Sequence, residues 1–249
     1  MKAIILAAGR GSRLGSLSST IPKCMVQLAG KPLIAWQLAA LRKSGVSDIA
    51  IVRGYLKESF TFKDVSYFDN NDWAATNMVM SLYSAREWLK KEPCIISYSD
   101  IVYSSSIIKK LMSASTSNIT ISYDVGWHDL WKMRFENPLE DAETFIIDQT
   151  SKLLEIGKKT DDLKKVQGQY MGLLRFSPEG WETTEKFLLN QSEVIRNKLD
   201  MTSLLQKLNE TGIEIKTMAI DEKWFEVDNE NDLMIYEKIL AKHPNYIPE

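Results

Sequence analysis

The sequence predicts an α/β fold, a three-layer sandwich on a mostly parallel central sheet, and three observations carry that reading. Short apolar runs alternate with helical patterns through the first half of the chain, the arrangement of a sheet covered on both faces. The first of these runs, residues 2–7, leads directly into glycines at 9 and 11, as a buried strand does when it opens into a ligand-holding turn. At 249 residues and 28.4 kDa the chain is long enough to bury one large core.

In order along the chain, residues 2–7, 48–53, 64–68, 94–99 and 118–123 are expected as strands, with helices at 32–44, 76–91 and 104–114 between them. Pro32 suits the first turn of a helix and Gly45 closes it. The second half is less regular. Residues 127–135 read as a short aromatic-rich helix, 144–147 and 152–157 as a strand pair, and 167–176 as a longer strand. Helices at 179–189 and 201–211 precede strands at 213–219 and 223–227 and a last helix at 229–241. Residues 1–242 are read as one domain and 243–249 as an irregular tail, with no internal repeat.

Charge and composition narrow the function. A formal net charge of −2, from 31 basic and 33 acidic residues that are well mixed, gives no footprint for nucleic acid. The apolar run after Lys2 is too short for a signal peptide, and no stretch approaches the ~20 apolar residues of a membrane span. Cys24 and Cys94 each lie in or beside an apolar segment, so they are expected as buried reduced thiols in the cytoplasm. With only His128 and His243 present, chemistry that needs several histidines is disfavoured.

The motif that carries chemistry is Ile4-Ile5-Leu6-Ala7-Ala8-Gly9-Arg10-Gly11-Ser12-Arg13-Leu14, followed by Pro22-Lys23. Its glycines let backbone N–H groups face phosphates, and Arg13 and Lys23 add two positive charges for a nucleoside triphosphate. A dinucleotide-binding loop fits poorly. The glycines at 9, 11 and 15 miss the GxGxxG spacing, and the second strand ends in Arg53-Gly54 instead of an acid for the ribose. A Walker loop is excluded, since no Gly-Lys-Ser/Thr follows.

These residues resemble the opening of the nucleotidyltransferases that activate sugar phosphates and phosphocholine, whose signature is L-A-(A/G)-G-x-G-x-R followed by P-K. The chain departs from it at Gly15-Ser16-Leu17-Ser18, where many members carry a proline and a threonine. The resemblance implies a Rossmann-like, nucleotide-diphospho-sugar transferase-like fold. It implies catalytic roles for Lys23 and Arg13, and nucleotide contacts from Leu6, Ala7, Ala8, Gly9, Gly11, Ser12, Thr76, Asn77 and Ser81. Asn77 can donate and accept, which suits a cytosine edge, and it can also cap the helix it opens.

Two strand-like segments end in aspartate, at Asp100 and Asp228. Mg2+ takes oxygen ligands, typically one or two carboxylates plus substrate phosphates, so such a pair suffices. The resemblance assigns both to that metal. Asp228 precedes a helical run and could instead be its N-cap, while Glu230 and Asp232 read as first-turn helix charges.

Trp127 and Trp131 share a helix face, with Arg134 three residues on and Glu140, Asp141 and Glu143 after it. Aromatics can hold an ammonium group by cation–π attraction, or they can simply be core. The W-x3-W-x2-R-F segment, the N-P-L-E-D-A-E run and Gly168-Gln169-Tyr170-Met171-Gly172 are similar to a narrower group, the cytidylyltransferases acting on phosphocholine, aminoalkyl phosphonates or phosphorylated amino acids. Trp127, Trp131, Arg134, Asp141, Glu143 and Tyr170 are accordingly expected at the acceptor. Ile156-Gly157-Lys158-Lys159 resembles the family's second lysine motif, which implies that Lys158 or Lys159 contacts the acceptor's phosphate.

The resemblance thus implies transfer of CMP from CTP to a small amine-bearing phosphate or phosphonate, with Mg2+ as cofactor and release of pyrophosphate. Neither a nucleic-acid nor a membrane partner is expected, and a homodimer is left open. A hexose 1-phosphate nucleotidyltransferase using UTP or dTTP shares the opening loop and is the competing enzyme. A non-catalytic nucleotide-binding regulatory module is the competing class.

Overall fold

A computed structural model describes residues 1–114 and 117–247 of the chain. The last two residues of the expected tail, 248 and 249, lie outside the described residues.

The chain opens with β1 (Lys2–Ala7), a short β2–β3 hairpin (Gln27–Leu28 and Lys31–Pro32) and α1 (Leu33–Lys43). It continues through β4 (Ile49–Arg53), β5 (Ser66–Asp69), α2 (Met78–Ser84), α3 (Arg86–Leu89), β6 (Cys94–Tyr98), β7 (Ile101–Val102) and α4 (Ser105–Ser113). Next come β8 (Ile119–Asp124), α5 (Trp127–Arg134), β9 (Glu143–Ile147), β10 (Leu153–Lys159) and β11 (Gln169–Phe176). The last third holds α6 (Pro178–Leu189), α7 (Glu193–Lys198), α8 (Met201–Glu210), β12 (Lys216–Ile220), β13 (Phe225–Glu226) and α9 (Glu230–Lys242).

Seven strands form one sheet in the order β12-β8-β11-β6-β1-β4-β5. β1 runs parallel to β4 and β6, β4 to β5, and β8 to β12; β11 is antiparallel to both its neighbours. The two faces are buried by separate cores, as the alternation of side chains along a strand requires. Ala3, Ile5 and Ala7 point into one core, shared with α1, α4, α5 and α9, while Ile4, Leu6 and Ala8 point into the other, shared with α2, α6 and α8. That is the expected three-layer α/β sandwich with a mostly parallel sheet.

Several elements differ from expectation. The helix expected over 76–91 breaks at Ala85, which leaves helical geometry at ψ 12° and separates α2 from α3. The strand expected at 223–227 contracts to β13, which pairs antiparallel with β7 across a large sequence distance. A two-residue ribbon has no periodicity to detect. α7 was not expected; Ser192 caps it by accepting the Ile195 N–H at 3.4 Å. Both cysteines are buried with free thiols. Among the described residues, no helix is long and apolar enough to cross a membrane.

Candidate active site

The carboxyl ends of β1 and β6 lie side by side, since Leu6 pairs with Tyr98, and both strands discharge their loops toward one cleft. After β1 the backbone turns at Gly11, whose φ is +67°. A Cβ there would sit 2.6 Å from Cβ of Lys23, so glycine is what lets the lysine stem cross the loop. The loop is pinned by the Ser18 hydroxyl, which donates to the Gly11 carbonyl at 2.8 Å. Lys23 follows Pro22 in a short 3-10 turn and is buried, whereas the Arg13 side chain remains 70 % exposed.

The β7–β13 ribbon brings the two aspartates together. Asp100 ends the turn before β7, Asp228 follows β13, and the Val227 N–H donates to the Asp100 carbonyl at 2.9 Å. Gln37 of α1, fully buried, clamps the same turn by donating from Nε2 to the carbonyls of Tyr98 (2.9 Å) and Ile101 (2.6 Å). Asp228 is not a helix cap. Asn229 caps α9, accepting the Asp232 N–H at 3.0 Å while the Asp232 carboxylate accepts from the Asn229 N–H at 3.3 Å.

The Lys23 ammonium bridges the pair, donating to Asp100 Oδ2 and to Asp228 Oδ1, each at 2.7 Å. Arg13 Nη1 reaches Asp228 Oδ2 at 3.1 Å. Burial works against the lysine charge, but the two carboxylates outweigh it and hold its pKa above the ordinary range. Burial alone would raise Asp228; Lys23, Arg13 and Arg134 together hold it below the usual carboxylate range. Glu226 shows the opposite balance, because burial and repulsion from Asp228 push it up to about 7 against the pull of Arg134. Asp100 Oδ1 is buried without a hydrogen-bond partner.

A cavity of about 240 Å³ opens beside these groups. Leu6, Ala8, Gly9, Gly11, Arg13, Lys23, Asp100, Thr76, Asn77 and Ser81 line it, bringing together residues expected at the nucleotide. Ala7 is buried at the strand end and Ser12 exposed at the start of the following turn; the cavity wall is formed without them. Asn70 orders the far wall by donating to the hydroxyls of Thr76 (2.9 Å) and Ser81 (3.0 Å). Asn77 caps α2 through its own Oδ1 and still lines the cavity. Trp73, Met78, Tyr98 and Ser99 complete the wall and were not anticipated. Of these only Trp73, an aromatic within the polar run 69–77, carries a signal in the sequence.

The residues expected at the acceptor separate into two groups. Trp127, Trp131 and Arg134 are buried. The two indole rings pack edge-on at 5.9 Å, Trp131 donates from Nε1 to Asp141 Oδ2 at 3.1 Å, and the Arg134 side chain has no exposed surface. This departs from an open aromatic cage, because the apolar face of α5 is spent on the core shared with Trp224. The second group lies on the β9–β10 hairpin and β11, where Lys158 and Lys159 are exposed and Glu143 and Tyr170 half-buried. Glu143 and Lys159 are register partners, and Lys159 Nζ also donates to the carbonyls of Glu140 (3.2 Å) and Asp141 (3.3 Å). Lys158 instead pairs with Glu155 at 2.7 Å. Burial raises the pKa of Glu143. The Tyr170 ring packs edge-on against Tyr98, a wall residue of the cavity, at 5.8 Å.

Known proteins resemble this chain in sequence and in fold. The family model for the MobA-like NTP transferase domain matches residues 3–145. The CTP:phosphoglutamine cytidylyltransferase of Campylobacter jejuni subsp. jejuni is 37% identical over 94% of this chain and 98% of its own length. The 2-aminoethylphosphonate cytidylyltransferase of Lancefieldella rimae is 27% identical over 79% of the chain and 80% of that protein. Among solved structures, the CTP:phosphocholine cytidylyltransferase from Streptococcus pneumoniae superposes with a TM-score of 0.73 at 23% identity, covering 96% of this chain and 98% of the other, a likeness of fold.

Proposed function

The chain belongs to the MobA-like NTP transferase family, and we propose that it is a cytidylyltransferase that moves CMP from CTP to the phosphate or phosphonate of a small amine-bearing acceptor. The observation that carries this reading is the Lys23 ammonium held at 2.7 Å from both Asp100 and Asp228 at the edge of the loop-lined cavity. The full-length likeness to a phosphoglutamine cytidylyltransferase favours an acceptor bearing an amino-acid zwitterion.

Attack by an acceptor oxygen on the α-phosphorus needs no protein base. A phosphomonoester has a second pKa near ~6 and reaches pH 7 mostly as the dianion. The barrier is instead the approach of two anions, so the protein's task is positioning and charge neutralisation. Backbone N–H groups of the Gly9–Gly11 loop and the exposed Arg13 face the triphosphate, and Lys23 turns from the carboxylates toward charge developing at the α-phosphate. Thr76, Asn77 and Ser81 lie against the base.

Asp100 and Asp228 form an oxygen-only pair that suits Mg2+, and the unpartnered Asp100 Oδ1 leaves a lone pair free for it. When bound there, the ion supplies Lewis-acid neutralisation of phosphate charge. Among the described residues, no group of three or more His, Cys, Asp or Glu side chains is placed to hold a metal, so nucleotide oxygens are assigned the remaining positions. On the acceptor side, Asp141 and Glu143 face the ammonium. Lys159, register partner of Glu143, takes the anionic end in preference to Lys158.

A panel of CTP, UTP, dTTP and ATP against phosphoglutamine, phosphocholine, 2-aminoethylphosphonate and glucose 1-phosphate, scored by pyrophosphate release, tests the reading. Turnover confined to CTP with an amine-bearing acceptor is the expected result. Preference for glucose 1-phosphate with UTP or dTTP, or nucleotide binding without turnover, overturns it.

A further inference from the structure

Next to Asp228 a second cation has its whole side chain buried. The Arg134 side chain has 0 % exposure and forks onto Asp232, with Nε 3.0 Å from Oδ1 and Nη2 3.0 Å from Oδ2. Its remaining arm, Nη1, donates to Glu226 Oε2 at 2.7 Å, and Nη2 stands 3.7 Å from Asp228 Oδ2. Asp232 Oδ2 in turn accepts the backbone N–H of Asp228 at 2.9 Å and that of Asn229 at 3.3 Å. One carboxylate oxygen therefore ties the guanidinium to the backbone that carries Asp228.

From this arrangement we infer that Arg134 is a positioning residue for the metal-binding carboxylate: acting through Asp232, it holds Asp228 in place and stays as its counter-charge when Lys23 leaves for the nucleotide. The inference rests on the reading of Asp100 and Asp228 as metal ligands. Four carboxylates, Asp100, Glu226, Asp228 and Asp232, converge here with Lys23, Arg13 and Arg134 as the three cations. Of those cations, Arg13 is largely exposed and Lys23 is needed at the phosphates. Arg134 alone is locked: α5 buries Trp127, Leu130 and Trp131 beneath it, and the rings of Trp131 and Phe135 lie 5.0 and 5.1 Å from its guanidinium carbon. A lysine could supply the charge but not the planar fork that grips both Asp232 oxygens. Outer-shell partners of this kind typically tune metal affinity by ~10–100-fold.

The test is Mn2+ titration of the full chain, followed by electron paramagnetic resonance, with a non-hydrolysable CTP analogue at saturation. Nucleotide affinity in EDTA and thermal melting are measured alongside. Arg134→Lys is expected to weaken Mn2+ binding by ~10–100-fold while metal-free nucleotide affinity stays within about two-fold of wild type. Asp232→Asn, which keeps shape and one acceptor, is expected to weaken Mn2+ binding in the same direction. If either variant is folded and binds Mn2+ as wild type does, the inference fails. It fails equally if metal-free nucleotide affinity drops in parallel with metal affinity, or if neither variant folds, since Arg134 is then a purely structural residue. Failure of the wild-type chain to bind Mn2+ with nucleotide is a different outcome, and it overturns the metal-site reading itself.

Discussion

Lys23 and Asp228 stand 205 residues apart in sequence, and 2.7 Å separates the ammonium of one from the carboxylate of the other. The same ammonium is as close to Asp100, so in the free protein one buried ammonium bridges two acids that no other lysine reaches among the described pairs. In the proposed reaction, nucleotide phosphates offer that cation a competing partner of higher charge, and the bridge joins the resting site to the reacting one.

Lys23→Ala is expected to lower kcat by ~10²–10³, the usual loss for one donor aimed at transition-state charge. Pyrophosphate release under saturating CTP measures it. Turnover near wild type would remove Lys23 from the chemistry and leave it as a counter-ion only.

Asp100→Asn keeps the size of the side chain and the turn clamped by Gln37, but removes the charge facing Lys23. Activity is expected to fall and not to recover fully in excess Mg2+. A metal titration of the variant that reaches the wild-type plateau at the wild-type midpoint would take Asp100 out of the metal site.

Gly11→Ala forces a side chain into left-handed backbone, with its Cβ 2.6 Å from Cβ of Lys23. Strain of ~1–3 kcal/mol is expected, and the displaced lysine should raise KM for CTP as well. Urea denaturation and steady-state kinetics on one preparation check both. A variant as stable as wild type with unchanged KM contradicts the close packing of loop and lysine.

Burial pushes the thiols of Cys24 and Cys94 up to about 12. At pH 8 the thiolate fraction of each is then on the order of 10⁻⁴, against roughly a quarter for an ordinary thiol with pKa near 8.5. Both are expected to resist a disulfide reagent until the protein unfolds. The sign of the linked stability follows. Below about pH 8.5 both states keep the proton and nothing changes, while between there and about 12 the unfolded chain ionises first, so stability falls by up to ~1.4 kcal/mol per pH unit for each thiol. Fast labelling of the native protein at pH 8, or stability that rises from pH 9 to 10 in a Cys-dependent way, contradicts this.

The sheet and the loop were legible because they are local. Ile4 to Leu6 announce a strand buried on both faces, and Gly9, Gly11, Arg13 and Lys23 announce, within one short stretch, a glycine-turned loop with two cations that the fold sets along one cavity. Asp100 and Asp228 could be nominated but not joined, since the ribbon that joins them is two residues long on each side. Gln37, which clamps the Asp100 turn from α1, looks in sequence like any helix polar residue. Arg134 was nominated for the acceptor, and its actual partners were not legible: a helix-face pattern cannot tell whether a guanidinium looks out at a ligand or in at Glu226 and Asp232. The two tryptophans of α5 were ambiguous for the same reason, because core and cage share one spacing.

That ambiguity yields a paired prediction. Trp127 is buried against Trp131 in the core on one face of the sheet, so Trp127→Ala is expected to cost ~3–5 kcal/mol of stability, with acceptor KM unchanged at a temperature where the variant remains folded. Glu143 is half-buried on the β9–β10 hairpin as register partner of Lys159, and its charge should matter to an ammonium. Glu143→Gln is expected to raise acceptor KM by ~10–100-fold, as loss of one hydrogen bond to a charged group does, with melting temperature and KM for CTP little changed. The effect should vanish with an acceptor that lacks the amine. If instead Trp127→Ala raises acceptor KM and Glu143→Gln does not, the amine sits on the indole faces of α5 after all, and the helix must move to expose them.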